Sequence, residues 1–128
     1  MQEYRFDWRI RLGIRLMNKI NSDSSIDRLF KIIEDRKNAK PTDSYTAKLL
    51  EGGTKRITDK IKEESDETVE AALREGSIAV TRESADLIYH LCVLWLDQGI
   101  SPTDVFNELK RREGTSGLVE KESRREND

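Results

Sequence analysis

Two long segments with helical periodicity are separated by a single glycine, and this arrangement constrains the fold more than any other feature of the sequence. Apolar residues recur with helical spacing over 54–75 and 77–98, Gly76 stands between the two segments, and Gly99 follows the second. Glycine commonly ends helices, and Ser77 is suited to capping the next one. Two helices joined by so short a turn must be antiparallel neighbours. The sequence therefore predicts an αα-hairpin closed at Gly76.

Shorter helical segments precede this hairpin. Ser25 comes directly before the segment 26–37, in which apolar residues recur every three or four positions, as they do on one face of a helix. A loop that contains Pro41 interrupts the pattern, because proline disfavours helix at the residue before it. A short helix is then predicted over 45–51, ended by the glycine pair at 52–53.

The sequence after the hairpin predicts one more long helix. The stretch SPTD at 101–104 supplies an N-cap serine, a proline at the first helical position and an acid in the first turn. Gly114 should end this helix, and in the polar tail that follows only Gly117 and Leu118 suggest ordered contact. The predicted fold class is therefore all-α, an antiparallel helical hairpin or bundle.

The first 25 residues do not share the helical pattern. Between Arg5 and Leu16 polar and apolar residues alternate strictly, which is the period of a strand. We therefore expect 1–25 to be an N-terminal extension, an amphipathic strand or extended arm that packs on the bundle or on a partner. Two alternatives remain: a basic targeting segment, which Glu3 and Asp7 weaken, and a disordered or helical leader with no functional role. Residues 26–128 then form one domain with a polar C-terminal tail.

Composition limits any charge-based function to local sites. The 128 residues suffice for one domain, and 25 acidic against 23 basic residues leave a net charge of −2, so no overall field attracts nucleic acid or a membrane surface. No run reaches the roughly 18 apolar residues of a membrane span, and the N-terminus lacks a signal-peptide core. The one cysteine, Cys92, excludes an internal disulfide and lies in an apolar run, which is typical of a reducing compartment. The cytoplasm is the expected location.

Four acids lie at matched heights on the two arms of the predicted hairpin. Counted outward from the turn, Glu64 stands opposite Asp86, and Glu67 stands opposite Glu83. At about 100° per residue, Glu64 falls inside the apolar stripe of its helix, Glu67 falls at the edge, and the two acids of the second helix share an arc with apolar residues. Burying four like charges together is untenable without protons or cations. A hard divalent metal such as Mg²⁺, which prefers oxygen ligands, is the simplest partner.

Other polar residues near these acids have plainer interpretations. Asp66 and Glu70 turn away from the apolar stripe, so they are predicted to form a solvated face, as most charge runs do. His90 lies one turn beyond Asp86 on the same face. A lone histidine in an apolar helix is more often a packed core residue than a ligand or a catalytic group, and both interpretations of His90 stay open.

Four segments of the chain, in this order, resemble one enzyme family. They are SYTAKLL (44–50), KIKEESDETVEAA (60–72), ESADLIYHLCVL (83–94) and RREGTSGLVEKESR (111–124). They resemble phosphoribosyl-ATP pyrophosphatases, which belong to the all-α nucleoside triphosphate pyrophosphatase (MazG-like) superfamily. The resemblance implies hydrolysis of the α,β-phosphoanhydride of 1-(5-phosphoribosyl)-ATP to 1-(5-phosphoribosyl)-AMP and pyrophosphate, the second step of histidine biosynthesis. It also implies a Mg²⁺-dependent homodimer with a dimeric four-helix-type core.

The resemblance also implies roles for individual residues. The metal ligands would be Glu64, Glu67, Glu83 and Asp86. Glu63 or Glu67 would accept the proton of the attacking water, and the sequence does not choose between them. The candidates for binding the polyanionic substrate are Lys48, Lys60, Arg111, Arg112, Lys121 and Arg124, with solvated surface charge as the alternative for each. The chain departs from the family pattern in its N-terminal extension and in the glycine pair at 52–53.

Two rival functions stay open at this point. A house-cleaning pyrophosphatase of the same superfamily would act on ordinary nucleoside triphosphates, but the C-terminal S-G-x-x-E-K-x-S-R pattern argues against it. A non-catalytic helical dimerisation module would explain the apolar run LIYHLCVLWL, which is hydrophobic on all sides. It does not explain acids on the apolar stripe.

Overall fold

The computed structural model describes residues 25–114 and 117–127, and these ranges are helical and contain no strand. The helices are α1 (Ser25–Arg36), α2 (Tyr45–Glu70), α3 (Ser77–Gln98), α4 (Pro102–Arg111) and α5 (Gly117–Asn127). A π-helical turn, Ala71–Glu75, continues α2 towards α3. The predicted all-α class is confirmed. The strand or extended arm predicted at the N-terminus falls on residues outside the described ranges.

The first helix, α1, covers one side of the hairpin with its apolar face. Leu29 and Ile33, four residues apart, are 6% and 1% exposed, as expected for side chains on one face of a helix. Exposed charges on the other face include Lys31 and Asp35, which form an i,i+4 ion pair. The helix predicted from the spacing of apolar residues over 26–37 is therefore confirmed.

The second helix, α2, has a kink near its beginning. Ser44 caps it, with extended backbone angles and a side chain that accepts a hydrogen bond from the backbone N–H of Ala47. Gly53 has a φ of 80°, a value that glycine adopts without strain, and the chain changes direction there. The predicted break at 52–53 is confirmed, although the helical hydrogen bonding resumes at once, so the two predicted helices form one kinked element.

The turn between α2 and α3 is short, as predicted. The N–H of Gly76 donates to the carbonyl of Ala71 at 2.9 Å, and Gly76 has a φ of 104°. Gly76 also takes the N-cap position of α3, which has no side-chain cap bond. The expectation that Ser77 caps α3 is therefore wrong, because Ser77 is already the first residue of the helix.

The residues predicted to end α3 and to begin and end α4 are confirmed in most details. Gly99 ends α3 in the left-handed conformation. Ser101 and Asp104 form a reciprocal capping box, with Pro102 at the first helical position. The helix ends at Arg111, slightly before Gly114, whose φ of 80° belongs to the turn that follows.

The core lies between α1, α2 and α3. Its buried residues are Leu29, Ile33, Leu49, Ile57, Tyr89, Cys92 and Val93. The α2–α3 hairpin is the most extensive contact, α1 packs across it, and α4 contacts α1. No helix in the described part of the chain combines the length and hydropathy needed to cross a bilayer.

The C-terminal tail contains a helix, α5, that the sequence pattern did not reveal. Leu118, expected to make an ordered contact, is 82% exposed, so that expectation is wrong. The buried residue of this helix is instead a charged one, Glu120, which is 5% exposed and lies against arginines. Ion pairs therefore hold α5, and the apolar residues on which the prediction relied do not.

Three large apolar side chains stay exposed near the closed end of the hairpin. Val69, Leu73 and Ile78 are 57%, 72% and 71% exposed. They lie on both sides of the Gly76 turn and form what we call the hairpin-tip patch. Such grouping differs from the isolated exposed apolar residues that are common on monomer surfaces.

Candidate metal centre

The hairpin brings three of the four matched acids together. Carboxylate oxygens of Glu64, Glu83 and Asp86 all lie within 4.8 Å of one another. Glu64 comes from α2, and the other two lie one helical turn apart on α3, so their side chains share a face. Because Gly76 forces the two helices to run antiparallel, residues distant in sequence meet at this level. We call these residues the three-acid cluster.

The three-acid cluster lies largely inside the protein. Glu64 is 2% exposed and Asp86 is 7% exposed, while Glu83 is half-buried. The Oε2 atoms of Glu64 and Glu83 are shielded from solvent. Carboxylates held this close and this deep repel one another unless a proton or a cation lies between them. The cluster therefore has the burial and the charge of a cation site.

Glu67, the fourth acid of the predicted set, is not part of the three-acid cluster. It is half-buried, one helical turn after Glu64. Its position at the edge of the apolar stripe directs it less deeply into the hairpin than Glu64. Asp66 and Glu70, on the same helix, are exposed, and Glu70 forms an ion pair with Arg74. The prediction of a solvated face for them is confirmed.

Glu63 and Lys60 form an ion pair beside the cluster. The Lys60 ammonium lies 3.1 Å from Glu63 Oε2, and the Lys60 side chain is only 12% exposed. The residues are three apart on α2, a spacing that places them on one face. A candidate for binding substrate and a candidate for accepting the proton of water are therefore held together, next to Glu64.

The donor set of the three-acid cluster fits a hard divalent cation. It consists of carboxylate oxygens, without the thiolate or imidazole donors that zinc or copper favour. Mg²⁺ is typically bound through a few carboxylates and keeps several waters, which a phosphate can replace. Three carboxylates on two helices can hold such an ion and leave part of its coordination sphere open. The cluster thus has donors suited to a hard divalent cation.

A hydrogen-bonded chain of side chains adjoins Asp86. His90 Nδ1 lies 2.8 Å from the backbone carbonyl of Asp86, and His90 Nε2 lies 3.2 Å from the hydroxyl of Tyr45. A carbonyl only accepts, so Nδ1 is the donor, and in the neutral imidazole Nε2 then accepts from Tyr45. His90 is 5% exposed. It is therefore a packed residue with hydrogen bonds at both nitrogens, the plainer of its two sequence interpretations.

Tyr45 is a residue near the site that sequence reasoning missed. Its hydroxyl pKa is raised well above the usual value, chiefly by burial, then by the charges of Tyr89, Glu64 and Glu63. The Tyr45 hydroxyl therefore lies close enough to Glu63 and Glu64 on α2 to be affected by their negative charge. The available signal was the position of Tyr45, directly after the helix cap and inside the quoted segment SYTAKLL. Its partner is 45 residues away, which no local pattern indicates.

The arginines proposed to bind substrate are engaged in an ion network between α4 and α5. Arg111 contacts Glu108 at 2.7 Å and Glu120 at 2.5 Å. Arg112 lies 2.8 Å from Glu108 and 3.9 Å from Glu120, and Arg124 lies 3.6 Å from Glu120. The two acids are Glu108 and Glu120, against three arginines, so the network carries one net positive charge. Each predicted arginine therefore has a carboxylate neighbour in this structure.

The charges of this network reinforce one another. Hydrogen bonds from Arg111 and then from Arg112 lower the pKa of Glu108 to about 2. Glu108 and then Glu120 raise the pKa of Arg111. Of the three lysines among the substrate-binding candidates, Lys60 is paired with Glu63, whereas Lys48 and Lys121 are exposed on α2 and α5. The three candidate arginines therefore have carboxylate neighbours, whereas Lys48 and Lys121 are exposed.

Comparison with known proteins assigns the chain to a family. The profile described as phosphoribosyl-ATP pyrophosphohydrolase matches residues 26–113. The protein named phosphoribosyl-ATP pyrophosphatase from Azospirillum brasilense is 49% identical over 104 residues, 81% of this chain and 94% of that protein. Its namesake from Paramagnetospirillum magneticum is 52% identical over 103 residues, 80% and 94% of the two chains. The one from Saccharolobus islandicus is 44% identical over 91 residues, 71% and 97% of the two chains. Given this coverage, the chain belongs to the phosphoribosyl-ATP pyrophosphohydrolase family.

Proposed function

We propose that this protein hydrolyses the α,β-phosphoanhydride bond of 1-(5-phosphoribosyl)-ATP. The products are 1-(5-phosphoribosyl)-AMP and pyrophosphate, and the reaction is the second step of histidine biosynthesis. Family membership supports this assignment, with relatives named for the activity and matched over most of their length. The observation that carries it is the three-acid cluster, because buried carboxylates that converge from two helices suit a metal-assisted reaction at phosphate.

We propose Mg²⁺ as the cation, with Glu64, Glu83 and Asp86 as ligands and Glu67 as a fourth that swings in from the edge of the hairpin. The donors are all hard oxygens, as Mg²⁺ prefers. When bound, Mg²⁺ supplies positive charge that neutralises phosphate oxygens and makes a bound water easier to deprotonate. The residues' own contribution is to fix the oxygens in one place and to exclude bulk water from them.

Attack by water needs a carboxylate near the attacked phosphorus that can accept the proton of the water. The oxygen of water forms the new bond to phosphorus, its proton passes to a carboxylate, and pyrophosphate leaves as the anhydride bond breaks. Glu63 and Glu67 are the candidates for the proton acceptor. Glu63 is held by Lys60, whose ammonium can turn from Glu63 to a phosphate oxygen as substrate binds. Lys60 would then bind substrate and release Glu63 for the proton.

Other basic residues would bind the phosphates that do not react. Lys48 and Lys121 are exposed and suited to a polyanion. Arg111, Arg112 and Arg124 already surround Glu120, and a phosphate group would compete with that carboxylate for them. Their substrate-binding role therefore requires the ion network between α4 and α5 to rearrange.

We propose that the active form is a homodimer with a four-helix-type core. The hairpin-tip patch supports this, because Val69, Leu73 and Ile78 form an exposed apolar surface on one hairpin. The same patch on a second copy would cover it around a two-fold axis. Within each chain, we assign 1–25 to an extension and 26–128 to the catalytic domain. A cytoplasmic location fits the buried thiol of Cys92.

The decisive experiment is pyrophosphate release measured with several substrates. Phosphoribosyl-ATP, ATP and deoxynucleoside triphosphates would each be supplied with Mg²⁺ and with EDTA. We expect turnover of phosphoribosyl-ATP with Mg²⁺, and loss of most of it in Glu64→Gln and Asp86→Asn. Asp66→Asn, an exposed acid in the same stretch, is the matched control and should keep wild-type turnover.

Each alternative function predicts a different result in this assay. Preference for an ordinary triphosphate over phosphoribosyl-ATP would indicate a house-cleaning pyrophosphatase. No turnover of any substrate by a folded dimer would indicate a helical dimerisation module. Near wild-type turnover by Glu64→Gln or Asp86→Asn at saturating Mg²⁺ would show that the ligand assignment is wrong.

A further inference from the structure

The chain from Tyr45 to Asp86 links parts of the protein that the kink at Gly53 separates. Tyr45 is the first residue of α2, before the kink, and Glu64 lies on the same helix after it. Tyr45 contacts His90 on α3, and His90 in turn donates to the backbone carbonyl of Asp86. The start of α2 is therefore connected by two hydrogen bonds to one member of the three-acid cluster.

His90 is held in place by rings as well as by hydrogen bonds. The Tyr45 and His90 ring centroids are 5.9 Å apart with an interplanar angle of 84°. The Tyr89 and His90 centroids are 5.1 Å apart with an angle of 88°. Edge-to-face contacts of this kind are favourable for aromatic rings. These ring contacts favour the orientation of the imidazole in which Nδ1 faces the Asp86 carbonyl and Nε2 faces the Tyr45 hydroxyl.

We propose that Tyr45 and His90 are positioning residues for the metal centre, a role that rests on the proposed cation site. They hold the backbone of α3 at Asp86, and thereby the Asp86 carboxylate, at the height of Glu64. Groups that orient the ligands of a metal act by reducing the freedom the ligands lose on binding. Because these two bonds reach the backbone of Asp86 and do not involve its carboxylate, they orient the ligand without competing with the metal.

A neighbouring pair of residues provides a control with the same chemistry. Thr46 Oγ1 and the Tyr89 hydroxyl share a hydrogen bond, and Tyr89 is 2% exposed. Tyr89→Phe thus removes a tyrosine hydroxyl, as Tyr45→Phe does, from a ring whose centroid lies 6.3 Å from that of Tyr45. The Tyr89 hydroxyl bonds Thr46, whereas the Tyr45 hydroxyl bonds the histidine that anchors Asp86. A loss of general packing affects both variants, and a loss of ligand positioning affects Tyr45→Phe alone.

The test measures metal binding directly, without substrate. Mn²⁺, a spectroscopic substitute for Mg²⁺, would be titrated into the protein and free Mn²⁺ followed by electron paramagnetic resonance. We expect Tyr45→Phe to weaken Mn²⁺ binding about tenfold, the lower end of the effect of removing groups that orient metal ligands. Tyr89→Phe should bind Mn²⁺ within about twofold of wild type, the level expected of a change that does not reach the ligands.

Two variants of His90 sharpen the test. His90→Asn keeps an N–H donor where Nδ1 stands and loses Nε2, whereas His90→Leu loses both nitrogens. We expect His90→Asn to bind Mn²⁺ more tightly than His90→Leu. In turnover assays the Mg²⁺ concentration for half-maximal rate should rise in Tyr45→Phe while the rate at saturating Mg²⁺ is largely retained.

The possible outcomes separate this inference from the proposed function. If the wild type binds Mn²⁺ and Tyr45→Phe binds it equally well, the positioning role is refuted and the metal centre stands. If Tyr45→Phe and Tyr89→Phe lose the same affinity, the effect is general packing and the positioning role is again refuted. If the wild type binds no Mn²⁺, both the metal centre and the positioning role are wrong.

Discussion

Neutralising one acid of the three-acid cluster should stabilise the protein when no metal is present. In Glu83→Gln the side chain keeps its shape and loses its charge, so the repulsion from Glu64 and Asp86 disappears. One carboxylate oxygen of each acid lies within 4.8 Å of the other two. Two unit charges at that distance repel by about 3 kcal/mol at an effective dielectric constant of about 20. Side chains relax apart and water enters, so we expect a net gain of about 2 kcal/mol in the free energy of unfolding.

Thermal melting in EDTA and in millimolar Mg²⁺ measures this gain, at matched protein concentration because a dimer is proposed. A gain of about 2 kcal/mol should raise the metal-free Tm by about 5–10 °C for a chain of this size. Wild type should gain about 2.7 kcal/mol from Mg²⁺ at a hundredfold excess over its Kd, and Glu83→Gln should gain clearly less. The variant is thus more stable without metal and less responsive to it, as expected of a site kept at a cost in stability.

The exposed acid Asp66 provides the control for this experiment. Asp66→Asn removes a charge from the same helix two residues after Glu64, and its effect should stay within about 0.5 kcal/mol in both buffers. If the wild type does not respond to Mg²⁺ and Glu83→Gln is no more stable than wild type in EDTA, the acids do not repel across a metal site. The assignment of the three-acid cluster as a metal site is then wrong.

Four further predictions concern other parts of the chain. Gly53→Ala should cost about 1 kcal/mol in urea unfolding from backbone strain alone, because a Cβ there meets no atom within 4 Å, and Gly53→Asn should cost less. Glu120→Gln should loosen α5 and speed trypsin cleavage within 117–127, whereas the exposed acid in Glu122→Gln should leave the cleavage rate unchanged. Burial raises the pKa of the Cys92 thiol from 9.0 to about 12, so its contribution to the free energy of unfolding is intact below pH 9 and declines as pH rises towards 12; Cys92→Ala should flatten this part of the pH profile. Deleting 1–25 should preserve Mg²⁺-dependent pyrophosphate release, and a folded dimer that lost it would show that the extension belongs to the site.

Features that depend on neighbouring residues could be predicted from the sequence. The ends of α3 and α4 follow from glycine, serine and proline at particular positions, whose backbone preferences act locally. The hairpin followed from the short turn at Gly76, and with it the meeting of Glu64 and Asp86. Matched height on the two arms grouped Glu67 with the other three acids, whereas the rotation of about 100° per residue put it at the edge of the apolar stripe, and its position in the structure follows the rotation. The spacing of apolar residues also did not predict the π-helical turn before Gly76.

Features that depend on distant polar contacts could not be predicted. Glu120 is buried because arginines from α4 surround it, and a polar helix held by ion pairs shows no apolar stripe. Tyr45 meets His90 across 45 positions of sequence, so its role near the site needed the tertiary structure. Periodicity reports which side of a helix faces an apolar core, and it is silent on hydrogen bonds between helices.

The single-glycine turn between α2 and α3 has a consequence for the rate of folding. Contacts between the arms of a hairpin are close in sequence, so they form early, ahead of the docking of α1. We therefore expect the carboxylates of Glu64, Glu83 and Asp86 to meet already in the transition state, so that their repulsion raises the barrier to folding. Relief of that repulsion should therefore appear mainly as faster refolding, with unfolding little changed.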